Sequence, residues 1–232
     1  MQVQFFGHSA LAVHHEGHTI LVDPFLSGNP VLQGRSIPAL KPTTILLTHA
    51  HADHLGDAEA LSKQHQAPVI ATFELGTWLE KRGCVAIPAN MGGRVQQPWG
   101  WARLVPAFHS SSYEGEYLGM PCGVVFEVGG ITFYHAGDTC VFSDMALIAE
   151  LNRPQVAFLP IGGHFTMDLQ EALKAVELIR PDVVVPIHYD TFPPIRTDAE
   201  EFRRQVEAHT FTRVRIMKPL DTWEVELPAR NT

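Results

Sequence analysis

Several features that would assign this chain quickly are missing from it. Only three of its 232 residues are cysteine (Cys84, Cys122, Cys140), an odd and sparse set that makes no disulfide framework and fits a reducing compartment. No apolar run approaches the roughly 18–20 residues a membrane span needs. The first Lys or Arg is Arg35, so the N-terminus has no basic region of the kind that opens a signal peptide. Together these absences predict a cytoplasmic protein with no membrane partner. Positive charge is scarce too: 17 Lys and Arg stand against 25 Asp and Glu, a formal charge of −8, which argues against nucleic acid as a partner. There is no Gly-x-Ser-x-Gly elbow for a serine nucleophile and no Walker-type phosphate loop.

Apolar residues are plentiful at 45%, which excludes disorder as the dominant state and predicts one domain over residues 1–232. The unusual count is histidine, at 13 residues. Their placement follows a recurring arrangement, in which a β-branched apolar run ends in a loop bearing His or Asp. Gln2–Phe6 runs into Gly7-His8-Ser9, and Thr44–Thr48 into His49-Ala50-His51-Ala52-Asp53-His54. Arg103–Phe108 ends at His109, Ile131–Tyr134 at His135-Ala136-Gly137-Asp138, Val156–Pro160 at Gly162-Gly163-His164, and Val183–Ile187 at His188. Ligand sites in open sheets gather at the carboxyl ends of strands, so the six runs point to one shared site. A faint echo links Phe6-Gly7-His8-Ser9, followed by a Gly17 turn and strand, to Phe108-His109-Ser110, followed by a Gly130 turn and strand.

Helices fall between the runs. Asp168-Leu169-Gln170-Glu171 has capping-box spacing ahead of an apolar stripe from Leu169 to Ile179. Phe73–Lys81 stops before Gly83, and Ala58–Gln64, Ser143–Glu150 and Asp198–Ala208 read as further helices. Early strands come mostly as hairpins and later ones alternate with helices, so two mixed sheets with outer helices are expected: an α/β (α+β) chain.

The densest chemistry lies in Thr48-His49-Ala50-His51-Ala52-Asp53-His54. Residues two apart in extended chain project to one side, so His49 and His51 can grip a single ion. Asp53 and His54 follow where the chain turns towards the next helix and point elsewhere. Imidazole with carboxylate suits zinc, and also manganese, nickel or iron. One histidine after a strand is usually a loop hydrogen-bonder, whereas three with an aspartate in six residues would repel when protonated and gain little without metal.

With separated His109, Asp138 and His188 downstream, this motif resembles the metallo-β-lactamase superfamily. The fuller string, including Gly7-His8-Ser9, Asp23-Pro24-Phe25 and Ile161–Met167, is similar to its small metal-dependent hydrolases related to ascorbate-6-phosphate lactonase-like proteins. The resemblance covers nearly the whole chain and implies a four-layer αββα sandwich with a binuclear site at one edge. It implies that His49, His51 and His109 hold a first metal, that Asp53, His54 and His188 hold a second, and that Asp138 bridges. Asp138 also has a plainer reading as a turn residue, and Asp23 either orders a turn or fixes the tautomer of a ligand imidazole. His8, His135 and His164 fall outside the seven-ligand pattern. His164 is the first choice for substrate contact, His8 a further candidate, and His135 a structural residue.

The resemblance implies hydrolysis of a small ester, lactone or phosphodiester by a hydroxide held between two divalent ions, most simply zinc. Asp53 would handle the proton, and His164 or His8 would help to stabilise the oxyanion. Rim loops made mostly of Gly, Ser, Thr and apolar residues, with no Arg or Lys cluster and only distant basic groups such as Arg35 or Arg196, tip the expectation towards a weakly charged ester or lactone. The alternatives are an iron-dependent oxidoreductase on the same fold, from whose diiron reductases His51 departs, and a nuclease, which the charge disfavours. A homo-oligomer is compatible with the fold. Cys122 and Cys140 are expected to be small buried hydrophobes and the Ser110–Ser112 run to shape a loop or bond substrate.

Overall fold

The computed structural model describes residues 1–227; the last five positions of the expected domain span, 228–232, lie outside the described residues. Strands β1 (Gln2–Gly7), β2 (Ala10–His15), β3 (His18–Val22), β4 (Thr44–Leu46), β5 (Val69–Thr72) and β6 (Ala86–Ala89) come first. The next are β7 (Arg94–Gln97), β8 (Gly100–Pro106), β9 (Ser112–Tyr113), β10 (Glu116–Tyr117), β11 (Cys122–Val128) and β12 (Ile131–His135). β13 (Val156–Pro160), β14 (Val183–Ile187), β15 (Arg213–Val214) and β16 (Thr222–Glu224) complete the set. Six helices intervene: α1 (Ala52–Leu55), α2 (Ala58–His65), α3 (Phe73–Lys81), α4 (Met145–Asn152), α5 (Leu169–Ile179) and α6 (Ala199–His209).

Period-2 alternation sorts the side chains into layers. Leu11, Val13, Ile20 and Val22 of one sheet meet Val124, Phe126, Phe133, Val156 and Phe158 of the other in a central core. The intervening residues face outwards: Ala10, Ala12 and Leu21 pack with Leu55, Leu75 and Leu79 of α1 and α3. On the opposite side, Val125, Ala157 and Val184 pack with Ile148 of α4, Val176 of α5 and Phe202 of α6. The result is the expected four-layer αββα sandwich.

The two seven-stranded sheets run β16-β1-β2-β3-β4-β5-β6 and β15-β14-β13-β12-β11-β8-β7. Reading the second from β7, both contain three antiparallel pairings followed by three parallel ones. The faint sequence echo therefore marks equivalent places: β1 ends at His8 as β8 ends at His109. This corrects the expected ordering, because hairpins are not confined to the early chain; each half opens with hairpins and continues with crossovers.

Helix ends follow local chemistry. Asp168 accepts a hydrogen bond from the Glu171 amide at 2.9 Å and caps α5, and Gly83 just past α3 has φ of +85°. Asp198 is the cap of α6 and not its first turn, and α4 begins two residues later than expected.

Candidate metal centre

The site is built where strands stop. His8 follows β1, Asp23 follows β3, His49 and His51 follow β4, His109 follows β8, Asp138 follows β12 and His188 follows β14. Asp53 and His54 occupy their own single turn, α1, separated from α2 by Gly56. Gly56 has φ of +43°, and a Cβ there would lie 2.3 Å from the Pro24 carbonyl oxygen. Only glycine lets the chain turn this tightly against the Pro24 loop.

Two groups of side chains converge. In the first, the rings of His49, His51 and His109 meet edge to face, with centroids 4.6, 5.0 and 5.2 Å apart, and His49 Nε2 lies 3.0 Å from His51 Nδ1. In the second, His8, Asp53, His54 and His188 gather, with His8 Nε2 3.0 Å from Asp53 Oδ2 and the His8 and His188 rings 4.0 Å apart. Asp138 stands between them. Its Oδ1 is 3.2 Å from His54 Nε2, and its Oδ2 is 3.0 Å from His188 Nε2 and 3.5 Å from His109 Nε2. Within each group, and within the set His49, His54 and Asp138, one candidate ligand atom per residue lies within 4.8 Å of the others. His54 does not simply point away from His49, because the turn of α1 brings its ring to 4.1 Å from His49, and it belongs both to the second group and to the set with His49 and Asp138.

A hydrogen-bond chain fixes which nitrogens are free. Asp23 is fully buried and accepts from His54 Nδ1 at 2.7 Å, from the Thr48 hydroxyl at 2.6 Å and from the Thr48 amide at 2.9 Å. Since the Thr48 proton goes to Asp23, the Thr48 oxygen accepts from His49 Nδ1 at 3.0 Å. Each ring thus carries a proton on Nδ1 and turns Nε2 towards Asp138, at 3.2 Å from Oδ1 for His54 and 4.0 Å from Oδ2 for His49. Of the two readings of Asp23, the tautomer-fixing one matches these contacts.

Burial and charge set the protonation. Burial alone would raise the Asp138 carboxyl, but the flanking His188 and His54 hold it well below the usual carboxylate range. Burial would lower His54, yet Asp138 and Asp23 outweigh it and push that imidazole well above its usual value. Burial, aided by neighbouring His54, keeps His49 well below its normal value, and burial with His188 beside it brings His8 down to about 4.

These contacts accompany a close family match. The β-lactamase superfamily domain model aligns with residues 2–188. A UPF0173 metal-dependent hydrolase of Thermus thermophilus is 50% identical over 215 residues, covering 90% of this chain and 95% of that protein. The chain belongs to this family of the β-lactamase superfamily. Among solved structures, Igni18, a metallo hydrolase from the archaeon Ignicoccus hospitalis, superposes with a TM-score of 0.88 at 40% identity, covering 97% of this chain and 99% of that one. CmlA, a diiron β-hydroxylase from Streptomyces venezuelae, has a TM-score of 0.75 at 18% identity, covering 97% of this chain and 54% of that one, and shares the fold alone.

The donor set of this UPF0173 member suits a divalent cation. His54 Nε2 and Asp138 Oδ1 face each other at 3.2 Å without the geometry of a hydrogen bond, and the buried His188 Nδ1 has no hydrogen-bond partner. Buried polar atoms of this kind are costly unless something satisfies them, and imidazole with carboxylate is the chemistry that divalent transition metals take.

Other expected residues separate. His164 lies outside all three sets, exposed at φ of +54°, with its ring edge to face against Phe165 at 4.4 Å. His135 is structural: its Nε2 lies 2.9 Å from the Ser9 carbonyl oxygen and its Nδ1 accepts from the Gly137 amide. Ser111 accepts from the Ala50 amide and shapes the loop, while Ser110 stands 3.3 Å from His51 Nε2. Cys122 is buried, but Cys140 is exposed, which corrects the expectation for it; the turn after Asp138 carries it out of the core. Thr48 and Thr191 received no role from sequence. Thr48 adjoins a ligand-like histidine, a usable signal, whereas nothing in the sequence marks Thr191.

Proposed function

We propose that the protein hydrolyses a small, weakly charged ester or lactone, with His49, His51 and His109 holding one divalent ion, Asp53, His54 and His188 a second, and Asp138 touching both. The observation that carries this reading is the convergence of seven donors from the ends of four strands, β4, β8, β12 and β14, with His54 Nε2 and Asp138 Oδ1 buried there and not hydrogen-bonded. Ions bound there would supply Lewis acidity and a water acidified to a pKa of about 7.

The chain's own residues do the rest. Asp53 is half-buried and commits Oδ2 to His8, which leaves Oδ1 for the second ion and for orienting an attacking water beside it. His51 and Ser110 form the open side, where a substrate carbonyl can be oriented. Phe108, directly before His109, is 61% exposed and packs edge to face on Phe142, and Phe165 beside His164 is 54% exposed. An apolar rim of this kind favours an uncharged acyl or lactone body, with His164 as a substrate contact. Arg35 and Lys218 line a cavity of about 710 Å³ together with His8, but Asp190, Asp198 and Glu200 line it as well and offset their charge.

Elemental analysis of protein purified without chelator, followed by a panel of lactones, thioesters and phosphodiesters on the same preparation, tests the reading. Zinc, manganese or nickel with turnover of lactones or uncharged esters is the expected result. Iron with oxygen uptake, or exclusive turnover of phosphodiesters, would overturn it.

A further inference from the structure

His8 is unusually constrained. It is a non-glycine residue at φ of +57°, a backbone conformation that persists only where its surroundings hold it. Its carbonyl oxygen accepts from the His188 amide at 2.8 Å, and Phe25 and Phe192 stand edge-on to its ring at 5.8 and 5.6 Å. Both ring nitrogens are engaged. A carboxylate has no proton to give, so His8 Nε2 donates to Asp53 Oδ2 at 3.0 Å. Nδ1 is then unprotonated and accepts from the Thr191 hydroxyl at 2.9 Å; the hydroxyl's other acceptor, the Tyr189 carbonyl oxygen, is farther away at 3.4 Å.

The pseudo-symmetry of the sheets sharpens this. His8 and His109 occupy equivalent strand ends, and each falls within a different side-chain group. His109 has no hydrogen-bonded partner among the described contacts of its ring, only Asp138 Oδ2 at 3.5 Å, and its nitrogens stay available to an ion. His8 has neither nitrogen to spare. Equivalent positions have thus diverged into a donor on one side and an orienting group on the other.

We infer that His8, oriented by Thr191, is a positioning residue for the second ion: it fixes the Asp53 carboxylate through Oδ2 and is not itself a ligand. The inference rests on the assignment of Asp53 to an ion, but needs no substrate. A failure to find hydrolysis would leave it standing.

The test titrates metal-free protein with Mn²⁺ and with Zn²⁺ by calorimetry and compares H8F, H8Q and T191V with the parent chain. H8F keeps a ring and removes the donor, so the second equivalent should weaken by roughly 10–100-fold while the first is unchanged. H8Q retains an N–H able to reach Asp53 and should restore the second equivalent to within a few-fold of the parent. T191V removes only a hydroxyl and should give a loss between the two. Parent-like binding of both equivalents by H8F would overturn the inference, as would equal weakening of both, no rescue by H8Q, or a parent chain that binds one ion. If H8F fails to fold, T191V decides: unchanged affinity for the second equivalent overturns the inference.

Discussion

At the residue scale the centre is a problem of buried charge. Asp138 stays ionised although burial opposes it, because the His188 and His54 imidazoles surround it. Replacing it by Asn keeps the shape and removes the charge, so D138N should fold yet lose bound metal, as read by elemental analysis, together with turnover. Asp23 acts one step further out, and D23N should weaken metal binding by roughly 10–100-fold, since His54 Nδ1 and Thr48 lose their charged acceptor. Protonation gives a further expectation for the metal-free protein. His8 is depressed from 6.5 to about 4 in the fold, so the unfolded chain binds the proton more readily and stability falls as pH drops through that window. The loss amounts to about 3 kcal/mol at most for this residue, and His49 adds to it in the same direction. His54 works oppositely: its raised value gives a contribution intact below 6.5 and lost as pH climbs through its folded pKa. Melting of metal-free protein across pH should therefore show a maximum flanked by losses on both sides.

At the element scale, α1 exists because Gly56 lets the chain double back over the Pro24 loop. The sequence implied that Asp53 and His54 sit in a turn, but not that the turn brings His54 beside His49. Spacing carries no record of how tightly a chain bends once Gly56 meets Pro24. G56A would force a Cβ to within 2.3 Å of the Pro24 oxygen and disturb Asp53 and His54 in α1. Chemical denaturation should show a loss of about 1–3 kcal/mol, accompanied by a fall in bound metal. The cap of α5 offers a contrast. D168A removes one hydrogen bond to the Glu171 amide from a residue outside all three candidate ligand sets. It should cost about 1 kcal/mol and leave metal content unchanged.

At the scale of the whole molecule, one plan is used twice. Two sheets with matching pairing order put their strand ends together, and histidines and aspartates far apart in sequence meet there. With a formal charge of −8 over the chain, filter-binding assays at about 50 mM salt should retain neither RNA nor DNA.

The amino-acid sequence by itself determined the layers and pointed to most of the side chains that gather at the candidate centre. Period-2 apolar alternation sorts strands into faces, Asp168 and Gly83 mark helix ends, and His49-Ala50-His51 is a local arrangement that any extended chain would present. Tertiary structure alone decided the partnerships. Thr191 joins His8 across 183 residues, Asp23 reaches His54 across 31, and Asp138 becomes central only because the loops after β4, β8 and β14 close around the end of β12. Hydrogen bonds and charge pairing depend on distance in space, and the polypeptide sets that distance only once the two sheets have closed on their shared core.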